Sequence, residues 1–304
     1  MPKSVKDFKT YDEQLAILTA RGMDVGDRDK AVSQLRRCNY YRLSGYWYPF
    51  RQSAASGGRE DNFYPGTTLD EVISLYTFDS ALRTATFDAL APVELSLRAA
   101  LGYALGEIDE CAHLNPTSLS ARASGPTYQK WVEDYQNELD RSKEEFIAHH
   151  RWKYSGTLPV WVAIEILDWG SLAYLFDFAP DSVRDKLASG YGLSGVQLLS
   201  WMRALNVIRN TCAHHGRLFN RKHAFAPKLP QQGRLPEIDQ GRLYMRQTFG
   251  QLTLIQHLRQ ASGIPASRML AKLVASYPHD NRAVPIGRMG VWDGWKQSSL
   301  WPAD

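Results

Sequence analysis

The sequence predicts a mainly α-helical protein, with a small N-terminal part that adds a β-hairpin and a C-terminal helical extension. Three observations carry this. Apolar residues recur at steps of three and four in one segment after another, the period of a helix with one buried face. Ser or Thr stands three residues ahead of Glu or Gln at Thr10/Glu13, Thr68/Glu71 and Ser194/Gln197, the pattern of a capping box. Strand-like composition is confined to one short stretch, which leaves little for a large sheet.

Taken in order, Thr10 opens a first helix that stops at Gly22, and a second runs from about Asp27 to Cys38. The aromatics of Tyr46–Arg51 and Asn62–Tyr64 flank a Ser-, Ala- and Gly-rich run at 52–61 and predict a hairpin with a flexible tip. Its aromatics are expected to plug a small layer onto the core rather than to stack on bases. The helix after Thr68 carries Leu69, Val72, Ile73, Tyr76, Leu82, Thr86, Phe87 and Leu90 as its apolar stripe. Pro92 should bend or break it, because proline lacks the N–H that the ladder needs. Glu94 and Arg98 then share a face, either as a modest surface ion pair or as a buried carboxylate orienting a catalytic group.

The 109–127 region reads as loop, and Tyr128–His150 as one charged amphipathic helix ended by two histidines. The almost wholly apolar Leu158–Gly170 segment predicts a central helix starting near Pro159. Glu165 and Asp168 inside it would be costly unless paired, and arginines of a later helix are the expected partners. Further helices are expected at about Gln240–Gln260 and Pro265–Tyr277, with the tail tryptophans folding back onto the body. The expected parts are residues 1–66, 67–230 and 231–304.

The most informative stretch is Arg209-Asn210-Thr211-Cys212-Ala213-His214-His215-Gly216-Arg217. It ends a helix that opens at Ser194 and buries Leu198, Trp201, Met202, Leu205, Ile208 and Cys212, with Gly216 placed to stop it. A second stripe carries Asn206, Asn210, His214 and Arg217, with Arg209 on the border. From Lys186 through Pro236 there is no Asp or Glu, although 32 acids in 304 residues would put about five there. The same window holds eight Lys or Arg and three His. A basic, acid-free surface around histidines suits a polyanion, because each cation near a phosphate releases counterions.

Composition bounds the rest. A net charge of +4 means that any basic patch is local. No run of about eighteen apolar residues is present, so no membrane span or membrane partner is expected. The N-terminus lacks a secretory apolar region, and Cys38, Cys111 and Cys212 are isolated and odd in number, which predicts reduced thiols in a cytoplasm. With no CxxC pair and no HExxH, neither a zinc site nor any other cofactor is expected.

Several motifs together resemble a known family. Asn39–Phe50, Leu75–Asp79 with Leu82-Arg83, Glu94 with Leu97-Arg98, Leu158–Trp161 with Glu165 and Trp169-Gly170, and Arg209–His215 with Arg217 and Asn220-Arg221 occur in the order found in Abi-like abortive-infection proteins. The resemblance covers about Tyr11 to Phe225, with a looser echo in Met289–Trp295. Those proteins look like members of the HEPN class of helical bundles, whose ribonuclease motif is an Arg, usually followed by a polar residue, with a His about four to six residues beyond. Carried over, the motif is Arg209, Asn210 and His214, while His215 also satisfies the spacing. The resemblance implies a HEPN-type bundle, metal-free RNA cleavage, a homodimer with facing motifs, and phage defence by growth arrest. A small antitoxin RNA is a partner of some relatives.

Such cleavage uses the ribose 2′-hydroxyl as nucleophile and needs a proton acceptor, a proton donor and positive charge on the phosphorane. An imidazole fills either proton role and an arginine fork fits the phosphate. Arg209 and His214 are five residues apart, about 140° around an ideal helix, so one chain does not converge both on one phosphate. Asn210 shares the His214 face and can orient the ring. Two motifs across a symmetric dimer would meet the need. The expected catalytic set is therefore Arg209, Asn210, His214, His215 and Glu94, with Arg203, Arg217, Arg221, Lys222, Arg98 and Arg42 on the RNA. The competing reading is a non-catalytic RNA-binding or interaction module. A nucleotidyl- or metal-dependent enzyme ranks last, for want of a phosphate-cradling Gly loop or a carboxylate pair.

Overall fold

The computed structural model describes residues 5–278, 281 and 283–302. The described chain is mainly helical: α1 (Tyr11–Ala20), α2 (Arg28–Cys38), α3 (Tyr40–Trp47), β1 (Arg51–Ser53), β2 (Arg59–Phe63), α4 (Leu69–Gly106), α5 (Pro126–Arg141), α6 (Glu145–Lys153), α7 (Val160–Ala163), α8 (Trp169–Phe178), α9 (Asp181–Ser189), α10 (Gly195–Ala213), α11 (Pro236–Asp239), α12 (Thr248–Ala261) and α13 (Arg268–Ala275). Two compact units form, Met1–Arg83 with Leu273–Arg288, and Thr84–Lys272 with Met289–Asp304. The boundary falls inside α4 rather than in a linker.

In the first unit the Thr10/Glu13 capping box forms as expected, and Asp27 caps α2. The hairpin exists, with Arg51 opposite Phe63 and Ser53 opposite Arg59. Its first strand begins only at Arg51. The 46–50 stretch is not strand: Tyr46 and Trp47 close α3, and Tyr48–Phe50 form a 3-10 turn. Asn39 explains the difference. It sits at φ 67° and accepts the Tyr41 N–H, starting a helix that buries Leu43, Tyr46 and Trp47 on one face. Of the hairpin-region aromatics, Tyr46, Trp47, Phe50 and Phe63 are buried in the core as expected, whereas Tyr48 and Tyr64 stay exposed. The Tyr46 hydroxyl donates to Asp79 at 2.5 Å, and Arg83 donates to the same carboxylate oxygen at 2.5 Å. All three are buried. Burial first, then the Asp79 charge, pushes the Tyr46 hydroxyl above its ordinary range.

The 38-residue α4 continues through Pro92 without a break. A proline costs the helix one hydrogen bond, on the order of 3 kcal/mol. Burial of Leu90, Val93, Leu97, Leu101 and Leu105 around it offsets that loss. Arg259 of α12 also donates at 2.8 Å to the Ala89 carbonyl, next to the Asp88 carbonyl that Pro92 orphans.

The second unit corrects two further expectations. The 128–150 segment is not one helix; it breaks at 142–144 into α5 and α6. The apolar 158–170 segment is not a central helix either. It is one turn (α7), a 3-10 turn at Ile164–Ile166, and then α8 with Asp168 as its N-cap, accepting the Ser171 N–H at 2.6 Å. The breaks leave Glu165 and Asp168 exposed, which relieves the cost of burying them. Helix α10 lies against α8, α9 and α12. Its start is tight, because a Cβ on Gly195 would lie 2.8 Å from the Arg184 Cβ. In the tail, Trp292, Trp295 and Trp301 gather on Phe249 at ring separations of 4.7, 5.5 and 4.3 Å. Among the described residues no helix is long and apolar enough to cross a membrane.

Candidate functional site at the end of α10

Helix α10 forms as its pattern requires. Ser194 and Gln197 make the capping box, and Leu198, Trp201, Met202, Leu205, Ile208 and Cys212 are all buried. Two indole N–H groups fix its backbone surroundings: Trp169 donates to the Met202 carbonyl at 2.7 Å, and Trp201 donates to the Lys228 carbonyl at 2.9 Å. The catalytic candidates thus stand at the end of a helix that the core holds along its length.

The end is built differently from the sequence expectation. His215, not Gly216, takes the left-handed position, at φ 54°. The His215 N–H returns to the Cys212 carbonyl at 3.1 Å, and the Gly216 N–H to the Thr211 carbonyl at 2.8 Å. This is the paired hydrogen bonding of a Schellman cap. Gly216 instead sits close against the last turn, since a Cβ there would lie 3.2 Å from the Thr211 carbonyl oxygen. A left-handed non-glycine residue costs roughly 1 kcal/mol, and histidine is among the side chains seen there more often than most. The cap leaves His214 and His215 both exposed at the tip.

Arg209 is half-buried. Its guanidinium lies 5.6 Å from the centre of the Phe87 ring on α4, and one of its amino groups donates to the Asn210 side chain at 3.4 Å. Its Nε is buried without a partner. Among the described residues no carboxylate pairs with Arg209, and the His214 side chain makes no hydrogen bond. Both groups are therefore available to a ligand. Phe87 was expected in the buried stripe; it is 41% exposed and forms a platform for Arg209. The signal was present in the spacing, because Thr84, Phe87, Asp88 and Ala91 fall on one face and all are exposed.

The other predicted residues divide. Arg221 reaches the same helix end, donating to the Thr211 hydroxyl at 3.5 Å, and that hydroxyl donates to the Val207 carbonyl. Arg217 is half-buried, and Lys222 is exposed in a backbone bridge to Gln247. Arg203 instead pairs with Asp177 at 2.8 Å. Asp177 is thus the carboxylate that meets an arginine of α10; neither Glu165 nor Asp168 pairs with one among the described residues. Glu165 lines a groove of about 510 Å³ with Arg98, Tyr103 and Trp161. Arg42 lies exposed on α3 in the first unit.

Glu94 and Arg98 form a largely buried pair at 2.6 Å, their side chains 16% and 8% exposed. The Arg98 guanidinium also donates to the Ile164 carbonyl, and to the Leu167 carbonyl at 2.8 Å. It thereby ties α4 to the 3-10 turn that precedes α8. His223 is buried and contacts the Thr248 hydroxyl at 3.2 Å; burial first, then nearby Arg221, pushes its ring down to about 4. It is a neutral core residue. Among the described residues no group of three or more His, Cys, Asp or Glu could hold a metal ion.

Fold and site together define a helical protein with a half-buried Arg209 and exposed Asn210 and His214 at the end of α10, on an acid-free basic segment. The family model described as Abi-like protein matches residues 33–220, which is more than half of the chain and includes the whole motif. The chain belongs to the Abi-like protein family. No curated protein and no solved structure matches it.

Proposed function

We propose that this chain is a metal-independent endoribonuclease of the HEPN type, acting as a toxin in abortive-infection defence. The observation that supports it most is the α10 end, where Arg209, without a carboxylate partner, and exposed His214 stand in a segment with no acid. The 2′-hydroxyl attacks the adjacent phosphorus as His214 takes its proton, the P–O5′ bond breaks with a proton returned from the imidazolium to the leaving 5′-oxygen, and the Arg209 fork holds the phosphorane oxygens, leaving a 2′,3′-cyclic phosphate and a 5′-hydroxyl. Asn210 orients both groups, through its contact with Arg209 and its shared face with His214. Arg217, Arg221 and Lys222 carry the flanking phosphates. Glu94 and Arg98 act on structure rather than on RNA, by holding the α4 contact described above.

The site is composite. Because the two groups diverge around one helix, two copies facing each other would supply an Arg and a His to one scissile linkage. The same divergence favours one second reading, a module that binds RNA, including a small antitoxin RNA, without cutting it. Labelled RNA incubated with the protein in EDTA separates the two. Cleavage abolished by His214→Ala, with the fold retained, is the expected result. Steeply salt-dependent binding without cut products would establish the second reading.

A further inference from the structure

The second unit carries another acid-free basic stretch that the proposed site does not use. From Phe146 through Ile164 there is no Asp or Glu, while His149, His150, Arg151 and Lys153 fall within five residues. Interleaved with them are Trp152, 84% exposed, and Tyr154, 51% exposed. A large indole left in water at the end of a helix is uncommon in a protein with this much core, and it points to a ligand.

The stretch is ordered around its aromatics. The Tyr154 and Gly156 N–H groups both return to the His150 carbonyl, at 2.8 and 3.1 Å, with Ser155 and Gly156 in the left-handed region. That turn seats the Tyr154 ring 5.2 Å from His150 and 6.0 Å from His149, with the Lys153 ammonium 5.3 Å from its centre. Arg151 donates to the Leu139 carbonyl at 2.7 Å and lies 3.7 Å from Asp140, so it is held by α5. Lys153 has no carboxylate partner among the described residues.

We infer that Trp152, Tyr154 and Lys153 form a second nucleic-acid contact, a stacking platform for a single strand, separate from the Arg209/His214 end. Flat rings accept any base face, at a gain of about five- to a hundredfold in affinity per base, and the cation meets the backbone phosphate. Charge selects this ligand over a neutral partner. Over a lipid surface it is favoured because Trp152 and Tyr154 are the only exposed large hydrophobics between residues 146 and 157, both aromatic and neither joined by an exposed Leu, Ile or Val in that stretch.

The test uses the full chain and a 2′-O-methylated oligouridylate, which has no free 2′-hydroxyl and so reports binding whether or not the chain cleaves RNA. Binding should quench tryptophan emission in the parent. Trp152→Ala should weaken binding about tenfold and remove most of the quench, while Trp152→Phe keeps most of the affinity. Lys153→Gln should lower the slope of log affinity against log salt by about 0.7. An unchanged thermal transition is expected for all three, since the side chains are exposed. Three results would overturn the inference: unaltered affinity and quench in Trp152→Ala, a Trp152 signal that tracks protein concentration alone, or transfer to phosphatidylserine vesicles with no binding of the single strand. None of these outcomes bears on His214, so the proposed cleavage stands or falls separately.

Discussion

Replacing Arg98 by Met should unfold the protein far more readily and should do so without any RNA present. The Arg98 side chain is 8% exposed and its donors are committed to Glu94 and to the Ile164 and Leu167 carbonyls. Methionine fills much of the volume but donates nothing. The Glu94 carboxylate, 16% exposed, is then left nearly buried without its counter-charge. Removing one partner of a buried pair costs about 3–5 kcal/mol, a large share of the roughly 5–15 kcal/mol that holds a domain together. Urea denaturation followed by circular dichroism gives the loss directly from the shift in midpoint at constant slope. Adding Glu94→Gln should recover part of it, because the stranded charge disappears. A loss under about 1 kcal/mol, accompanied by weaker and less salt-dependent RNA binding, would refute this reasoning and return Arg98 to the RNA-binding surface.

Other perturbations follow from the same geometry. Phe87→Ala should leave stability within about 1 kcal/mol, since the ring is 41% exposed, yet reduce RNA cleavage several-fold by freeing the Arg209 fork; rate and urea midpoint measured together decide it. Gly195→Ala should cost about 1–3 kcal/mol, because the new Cβ meets Arg184 at 2.8 Å where α9 and α10 touch; a neutral thermal shift would contradict the packing. Buried His223 titrates near 4 in the fold against about 6.5 unfolded, so the unfolded chain takes up a proton first as pH falls. Its contribution is intact above about pH 6.5 and drains away towards pH 4, worth about 3 kcal/mol over the window. His223→Gln should flatten that part of the stability-versus-pH curve, and an identical curve would exclude the assignment.

What the residues revealed in advance tracks how local the physics is. The capping boxes at Thr10, Thr68 and Ser194 and the buried face of α10 depend on neighbours three and four residues away, and each formed as read. The class of fold and the family were legible for the same reason. Helix ends inside long apolar or charged runs were not. The 158–170 segment is apolar enough for one helix, but Asp168 caps α8 and Arg98, 66 residues away from Ile164, takes the carbonyls of the preceding turn. Pro92 read as a bend or a break because the packing that keeps α4 helical past it is not local in sequence; Arg259, far along the chain, reaches the neighbouring Ala89 carbonyl. At the candidate site, the helix end and the exposed face that holds Phe87 were legible in the spacing, whereas the Arg209–Phe87 contact and the Asp177–Arg203 pair required knowing which helices meet. The left-handed His215 was masked by the adjacent glycine, the residue that usually takes that position.

The most direct test of the central claim pairs two inactive chains. Arg209→Ala and His214→Ala variants, differently tagged and co-expressed, are purified as the mixed species and given labelled RNA in EDTA. Each variant alone should be inert, and the mixed species should cut, because one chain supplies the arginine and the other the histidine. A mixed species as inert as its parents, or a His214→Ala protein that still cuts on its own, would contradict the account.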